Sequence, residues 1–357
     1  MSGVRSGRSD RATPQRVDRA TPQRVVVLGR GAMAAAVAAC LEGVGGVPEV
    51  VRLDELARQE VGSSLTGVDA LVVLADEADF GAWLAVPTGL RRRQMLDRVE
   101  RAFEGARVGK VPYILVISSA LVYGATPDRP LIDDDEPLPD RPEQGLGADL
   151  REVEAVIARY ARRRGLRCAI LRPASVVGAG IDTMIVRHFE APRLLAVRGT
   201  RRDWQFVHVE DVARAVEHIL ARRLEGVMTV ASAGVLSHEE VERVSGMRTV
   251  EVPPVTAFAT ARQLHRAGVL PAPSDDLAYA VYPWTVSSSK LRASGWVPRW
   301  TNLGCLTVLL EESRGRHGMG GRRVGGKDVA ALGAAGAAVA LIGTAAAVRR
   351  ARARRLG

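Results

Sequence analysis

An apolar run that ends on two hydroxyl side chains and a glycine constrains this sequence most. Residues 111–117 read Val-Pro-Tyr-Ile-Leu-Val-Ile, and residues 118–124 read Ser-Ser-Ala-Leu-Val-Tyr-Gly. A near-continuous apolar run of this length is typical of a parallel strand that is buried on both faces. In open α/β sheets, ligands bind at the carboxyl edge, where the polar residues after this run would lie. The sequence therefore predicts an α/β fold with a parallel sheet and a ligand site near residues 118–119.

A glycine-rich turn follows the first predicted strand, residues 24–28. The segment Gly29-Arg30-Gly31-Ala32-Met33-Ala34 leads into an Ala-rich helix that is predicted to end near Glu42. Glycines permit a tight turn and let backbone N–H groups approach a pyrophosphate at a helix N-terminus. Five residues of the turn are therefore predicted to bind a dinucleotide: Gly29, Arg30, Gly31, Ala32 and Met33. The alternative is a structural turn beside a vestigial pocket.

The ends of the next two predicted strands add to this cofactor site. Asp54 ends a strand over residues 49–54, where an acid hydrogen-bonds a ribose and repels a 2′-phosphate. This position favours NAD, although Arg52 would suit NADP and Asp54 is equally suited to cap a helix. Leu74 and Ala75 end a third strand, residues 69–75, and are predicted to line the same site.

Four segments resemble the extended short-chain dehydrogenases, in the NAD-dependent epimerase/dehydratase family. They are SSALVYG at 118–124, LRPASVVG at 171–178, RDWQFVHVEDVA at 202–213 and SSSKLRASGWVP at 287–298. Residues 180–183 also resemble an actinobacterial subgroup described as UDP-glucose 4-epimerase-like. The resemblance covers residues 24–312, which are predicted to form one NAD(P)-binding domain.

This resemblance implies a doubly wound, Rossmann-type parallel sheet with a small C-terminal substrate lobe, mainly residues 175–205 and 225–300. It implies NAD as the cofactor, with NADP as the alternative, and a nucleotide sugar as the small-molecule ligand. Ser118, Arg172 and Pro173 are implied to line the cofactor side, although Arg172 would serve equally well as a plain charge at a strand end. Asp211 is implied to cap the helix that follows it.

The chemistry of the family requires a Ser, a Tyr and a Lys that stands four residues after the Tyr. A phenol titrates near pH 10, so it is a poor base at neutral pH unless a cation lowers its pKa. Ser119 matches the Ser, but no Tyr-x-x-x-Lys occurs anywhere in the sequence. Alignment of the following predicted helix, residues 146–164, places Leu146 and Leu150 at the Tyr and Lys positions. Tyr123 is the candidate replacement base.

Three functions follow from this departure. The first is an NAD(P)-binding sensor or scaffold that lacks the ordinary oxidation chemistry. The second is an active nucleotide-sugar epimerase or dehydrogenase in which Ser119 and Tyr123 are the catalytic residues. The third is a membrane-associated interaction protein with an empty pocket.

Charge and composition set the ends of the chain apart from its body. The net charge of +10 divides into +4 for residues 1–24, +9 for residues 314–357 and −3 for the residues between them, which argues against a specific nucleic-acid partner. Residues 10–25 are a tandem repeat of DRATPQRV, and residues 1–23 are predicted to form a disordered basic arm that ends as the second copy enters the first strand. The C-terminal predictions are a basic linker (313–328), a hydrophobic helix that spans a membrane or lies on its surface (329–348), and a basic tail (349–357).

The cysteines and the leader region bear on the compartment. Cys40, Cys168 and Cys305 are widely spaced and fit no metal or redox pattern, so no metal site is predicted. No apolar signal segment is predicted at the N-terminus. The expectation is a cytoplasmic protein, associated with a membrane if the hydrophobic helix binds one, and a homodimer is a further expectation.

Overall fold

Short apolar strands and the helices between them make up the fold. The computed structural model describes residues 22–56, 63–140, 144–162, 166–268, 270 and 272–318. The strands are β1 (Arg24–Leu28), β2 (Glu49–Leu53), β3 (Ala70–Leu74), β4 (Tyr113–Ile117), β5 (Arg167–Pro173), β6 (Ser175–Val177), β7 (Leu194–Val197), β8 (Phe206–His208), β9 (Gly226–Val230) and β10 (Thr249–Val252). The helices are α1 (Gly31–Gly43), α2 (Phe80–Ala85), α3 (Thr88–Val108), α4 (Leu146–Ala161), α5 (Met184–Phe189), α6 (Val209–Arg222), α7 (His238–Ser245), α8 (Pro254–Arg266), α9 (Leu277–Val281), α10 (Ser289–Ala293) and α11 (Asn302–Gly318).

Six of the strands form one parallel sheet in the order β2-β1-β3-β4-β5-β9. Every residue of β3 and β4 is buried, which explains why both strands are apolar throughout their length. After β1 the chain adds β2 as the neighbouring strand on one side of β1, and it then crosses back to add β3 as the neighbour on the other side. Right-handed crossovers in opposite directions place α1 and α3 on opposite faces. The predicted doubly wound α/β fold is therefore confirmed, and its topological switch point lies between β1 and β3.

Helices cover the sheet in packed pairs, α1 with α6 and α3 with α4. In α4, Leu150, Val153 and Ile157 are fully buried and recur at the spacing of one helical face. This apolar stripe explains why the sequence predicts the helix correctly. The stripe also fixes the rotation of α4, and with it the direction in which residues at the start of the helix point.

The C-terminal part of the chain adds two small sheets and a second apolar core. Strand β7 pairs with β10, and β6 pairs with β8, both in parallel. Leu195, Val197, Val252 and Ala257 belong to the second core, which is separate from the main one. The predicted lobe boundary at residue 225 is too early, because β9 pairs with β5 and belongs to the main sheet.

A buried carboxylate holds the closing segment of the domain. Asp134 lies in the acidic, Pro-rich stretch after β4 and is almost completely buried. Its Oδ1 accepts hydrogen bonds from the backbone and hydroxyl of Thr229, and its Oδ2 accepts from Ser289 and the backbone of Lys290. The stretch therefore ties β9 to α10.

Asp211 also differs from its expected role. The side chain that caps α6 is His208, whose Nδ1 accepts from the Glu210 N–H at 3.3 Å. Asp211 is fully buried and accepts from the backbone N–H groups of Arg299 and Trp300 at 3.0 and 2.9 Å. The carboxylate therefore joins α6 to the segment before α11, and it does not cap its own helix.

The predicted terminal segments are covered only in part. Helix α11 continues to Gly318, so the first residues of the predicted basic linker are helical. The basic arm up to residue 21, the hydrophobic segment 329–348 and the basic tail lie outside the described residues. Among the residues that are described, no helix combines the length and the hydropathy that crossing a membrane requires.

Candidate functional site

Three adjoining cavities lie at the carboxyl edge of β1, β3 and β4. The innermost, the Ser119 cavity, has a volume of about 30 Å³ and is lined by Asp76, Ser119, Leu146, Ser175, Thr183 and Trp284 among others. A second, the turn cleft, has a volume of about 160 Å³ and runs from Arg30 to Asp76 and Leu146. The third, of about 430 Å³, shares Arg30 and Arg98 with the turn cleft and extends to Glu55.

The glycine turn after β1 forms one wall of the turn cleft. Gly29 has φ +149°, and a Cβ on it would lie only 2.7 Å from Cβ of Leu74, so only glycine fits between the two strands. Gly31, with φ +76°, opens α1. The side chain of its N-cap residue, Arg30, makes no capping hydrogen bond. Of the residues at the start of α1, Arg30 lines the turn cleft, so the helix begins beside it.

A carboxylate of the chain itself lies at this turn. The Arg30 N–H donates to Oε1 of Glu77 at 2.9 Å, and Nη1 of Arg98 lies 2.9 Å from the same oxygen. The side chain of Arg30 pairs with Glu55. A carboxylate oxygen that accepts from the turn and pairs with an Arg marks the place as an anion position. The donors present at the turn therefore fit a phosphate group.

Asp76 faces Ser119 in the inner cavity. Its Oδ1 accepts from the Ala78 N–H at 2.9 Å. Burial raises the pKa of Asp76 to about 6, opposed in part by the hydrogen bonds from Ala78 and Ser119. Ala78 itself has φ +52°, a left-handed conformation that is costly for a residue with a Cβ. The segment after β3 thus places a carboxyl group with a raised pKa beside the Ser119 hydroxyl.

Leu146 and Leu150 lie on α4 as the alignment places them. Leu146 lines both the Ser119 cavity and the turn cleft, and its backbone N–H donates to Oδ1 of Asp276 at 3.3 Å. Leu150 is fully buried one turn later. The helix position that faces Ser119 therefore carries an aliphatic side chain.

Tyr123 lies outside the three cavities. Its hydroxyl donates to the carbonyl oxygen of Asp134 at 3.1 Å, and the guanidinium of Arg172 stacks over its ring at 4.6 Å. Burial raises the pKa of the phenol, with Arg172 acting in the opposite direction. The structure does not bring this predicted catalytic residue together with the cavity that Ser119 lines.

Three residues predicted for the cofactor side are engaged beneath the site. Oγ of Ser118 donates to Glu154 at 2.6 Å, and Nε of Arg172 donates to the same oxygen at 3.1 Å. The Arg172 and Glu154 side chains are only 5% and 4% exposed. Pro173 pairs with Val230 in the sheet. Ser118 and Arg172 thus join the ends of β4 and β5 to α4, and residues 174–176 line the cavity in place of the three predicted residues.

The remaining predicted cofactor residues divide between the cleft and the core. Ala75 lines the turn cleft, and Leu74 packs directly under Gly29. Met33 is buried in the main core and Ala32 is partly exposed beside Gly180. Asp54 is exposed at the end of β2, and the acid that pairs with Arg30 is the next residue, Glu55.

Sequence reasoning missed Asp76 and Glu77. A signal existed, because two acids directly follow an apolar strand at the switch point of a doubly wound sheet. Their significance depends on what lies opposite each of them, the Ser119 hydroxyl for Asp76 and the Arg30 N–H for Glu77. Those neighbours are distant in the sequence.

Comparison with known proteins is consistent with this geometry. A family model described as the NAD dependent epimerase/dehydratase family matches residues 11–231. Uncharacterized proteins of Mycobacterium bovis and Mycobacterium tuberculosis are each 26% identical over 194 residues, which are 53% of this chain and 51% of theirs. The chain thus matches about half the length of these curated relatives.

Solved structures with a similar fold include two that contain a dinucleotide. The human epimerase family protein SDR39U1 (isoform 2), solved with NADPH, superposes with a TM-score of 0.61 at 18% identity, covering 82% of this chain and 99% of that one. The Thermus thermophilus UDP-glucose 4-epimerase in complex with NAD gives a TM-score of 0.60 at 21% identity with the same coverage. At this level of identity the similarity establishes the fold.

Proposed function

Because the chain belongs to the NAD-dependent epimerase/dehydratase family, we propose that it binds NAD(P) in the turn cleft and a nucleotide sugar beside Ser119, without the family's Tyr/Lys chemistry. The protein then acts as a ligand sensor or scaffold. One observation carries this proposal: Leu146 lines the cavity opposite Ser119, at the helix position where the family resemblance requires the Tyr.

The residues that would hold the dinucleotide surround the turn cleft. The Arg30 N–H supplies the backbone donor at the phosphate position, and Arg98 adds a positive charge there. Glu55, beside Arg30 at the outer end, supplies an acid near the end of β2. A bound dinucleotide would supply a nicotinamide that accepts or donates hydride. The residues that line the inner cavity would orient the second ligand and exclude water from it.

No other phenol or ammonium in the described residues replaces the missing pair. The hydroxyl of Tyr279, near the start of α4, donates to the Leu121 carbonyl at 2.6 Å, and Tyr279 does not line the Ser119 cavity. Lys290 pairs with Asp135 at the surface, and Lys110 lies in the turn before β4. A tyrosine hydroxyl without a neighbouring cation stays protonated near neutral pH.

The test measures binding and turnover on the same preparation of the full chain. We expect calorimetry to detect NAD⁺ or NADP⁺ binding, and we expect UDP-glucose and UDP-N-acetylglucosamine to remain unchanged after prolonged incubation with the bound protein. Product analysis by chromatography checks the second point. Epimerisation of either UDP-hexose would contradict the proposed lack of turnover.

A second candidate, an active enzyme with a non-standard base, is supported by Asp76. A carboxylate that exchanges its proton near neutral pH and hydrogen-bonds Ser119 is suited to take a proton from a substrate hydroxyl in this cavity. If the protein turns over a nucleotide sugar, Asp76→Asn and Ser119→Ala should each abolish the reaction. The exposed Asp128→Asn is the matched control and should leave the rate unchanged.

Tyr123, the base that the sequence suggests, gives the opposing expectation for this candidate. Tyr123→Phe should also abolish turnover if its phenol transfers the proton. Retained activity in Tyr123→Phe together with loss in Asp76→Asn would assign the proton transfer to the carboxylate. Unchanged rates in both Asp76→Asn and Ser119→Ala would rule the second candidate out.

A further inference from the structure

The crevice between β1 and β3 is bridged by the chain itself. Glu77 follows β3 and reaches across the switch point to the Arg30 N–H, on the far side of the Gly29 turn. The same oxygen pairs with Arg98 on α3. The Glu77 side chain is 19% exposed and that of Arg98 17% exposed, so the contact is largely shielded from solvent. Charged hydrogen bonds in such surroundings are stronger than those at an open surface.

The position of this carboxylate is that of an anion bound at a glycine turn. Backbone N–H donors at a helix N-terminus bind phosphate because they are unsatisfied within the helix and carry a partial positive charge. Here one of those donors is already satisfied by Glu77. The structure assigns Glu77 as an internal anion that occupies the phosphate position of the dinucleotide site and must leave it before a dinucleotide binds. This inference rests on the dinucleotide binding proposed above.

The Glu77 carboxylate and a pyrophosphate would bind the same two groups of the protein, Arg98 and the Arg30 N–H. If Glu77 stayed in place, like charges would lie side by side in a partly dry cleft, where repulsion is strong. The free energy of removing Glu77 from its two partners is therefore subtracted from the free energy of cofactor binding.

The segment that carries Glu77 has features that help it move. Ala78 has a left-handed backbone, and its N–H is held by the Asp76 side chain. A strained residue next to Glu77 lowers the cost of leaving the present conformation.

Variants at residue 77 give a graded expectation. Glu77→Gln keeps an oxygen that accepts from Arg30 but removes the charge that Arg98 pairs with. Glu77→Ala removes both interactions. Since hydrogen bonds to charged groups contribute more than neutral ones, we expect the affinity for NAD⁺ or NADP⁺ to rise by about tenfold to hundredfold in Glu77→Ala and by less in Glu77→Gln. Glu104→Gln, an exposed carboxylate on α3 that pairs with Arg107, should leave the affinity unchanged.

The experiment is isothermal titration of the full chain and the three variants with NAD⁺, NADP⁺ and inorganic pyrophosphate, after thermal unfolding has shown that each variant is folded. Pyrophosphate probes the turn without the rest of the dinucleotide. Tighter binding in Glu77→Ala than in the wild type is the expected result. Equal or weaker binding of every probe by Glu77→Ala overturns the inference, as does failure of all probes to bind any form.

The two proposals fail in distinguishable ways. If wild type and variants bind NAD⁺ or NADP⁺ equally well, the role of Glu77 is wrong and the proposed dinucleotide binding stands. If no form binds a dinucleotide but Glu77→Ala binds pyrophosphate more tightly than the wild type does, the turn is an anion site held by Glu77. In that case the proposed cofactor is wrong.

Discussion

Replacement of Asp76 by Asn should stabilise the protein above neutral pH, and the gain should disappear in acid. Burial raises the pKa of this carboxyl to about 6, from an ordinary value of 3.8. The folded chain therefore holds the proton over a range of pH in which the unfolded chain has already released it. The contribution of the Asp76 carboxyl to stability is therefore fully present below pH 3.8, and it is lost as the pH rises through about 6. Asn keeps the acceptor for the Ala78 N–H but never ionises.

The magnitude follows from the same displacement of the pKa. At about 1.4 kcal/mol for each pH unit, a pKa raised from 3.8 to about 6 corresponds to roughly 3 kcal/mol. Because the side chain keeps some contact with solvent, this figure is a ceiling. We expect Asp76→Asn to raise the free energy of unfolding by about 1–3 kcal/mol near pH 8, and by almost nothing near pH 4.

Urea titrations followed by tryptophan fluorescence, repeated across this pH range, measure the effect. Asp128→Asn makes the same chemical change in an exposed turn and should show no comparable dependence on pH. A constant difference in stability between Asp76→Asn and the wild type at all pH values would refute the reasoning. So would a destabilised variant near neutral pH. Either result would mean that Asp76 is not held in a surrounding that disfavours its charge.

Three further variants test the surroundings of the site. Glu154→Ala leaves the buried Arg172 without its carboxylate partner and should lower the free energy of unfolding, measured in urea, by about 3–5 kcal/mol. Glu154→Leu combined with Arg172→Met should recover most of that loss, and an unchanged stability of Glu154→Ala would contradict the pairing. Tyr123→Phe should cost about 1 kcal/mol and leave NAD⁺ affinity unchanged in calorimetry, whereas a tenfold loss of affinity would place the phenol at the ligand. Asp134→Ala should lower the free energy of unfolding by more than about 3 kcal/mol, because several buried donors lose their acceptor. The control, Asp135→Ala at an exposed position, should stay within about 1 kcal/mol of the wild type. Similar losses of stability in both variants would contradict the role of Asp134.

The sheet was predictable because its strands have a recognisable local sequence pattern. Strands β1, β3 and β4 are apolar runs that end on glycine or polar residues, and burial on both faces demands that pattern. The glycine turn was also predictable from local sequence. The close approach of Gly29 to Leu74 excludes a Cβ, so the requirement for this turn is visible as a glycine directly after β1. Helix α4 was predictable from its periodic apolar face.

Polar residues whose role depends on a distant partner were harder to assign. Ser118 and Arg172 each lie at the end of a strand. A polar residue at such a position is compatible with a ligand contact and with a structural contact, and the sequence alone does not distinguish the two roles. Only the buried position of Glu154 on α4 shows that the side chains of both residues bind its carboxylate. Asp211 was misassigned for the same reason, because its partners lie in the segment before α11.

The two acids after β3 show where sequence reasoning stops. Position at the switch point indicates that Asp76 and Glu77 lie near the ligand. Local sequence does not show that Glu77 accepts from Arg30, 47 residues earlier, or that Asp76 faces Ser119. The possible roles of a residue at such a position differ in its tertiary contacts, and neither helix or strand propensity nor hydrophobic periodicity contains that information.

Titration of the full chain with NAD⁺ and NADP⁺ in the presence of UDP-glucose, followed by calorimetry and then by product analysis, tests the central claim most directly. We predict saturable binding of one dinucleotide per chain and recovery of UDP-glucose unchanged, because the cleft has the phosphate donors and Leu146 stands where the phenol would be. Absence of dinucleotide binding, or conversion of the sugar, would contradict the account.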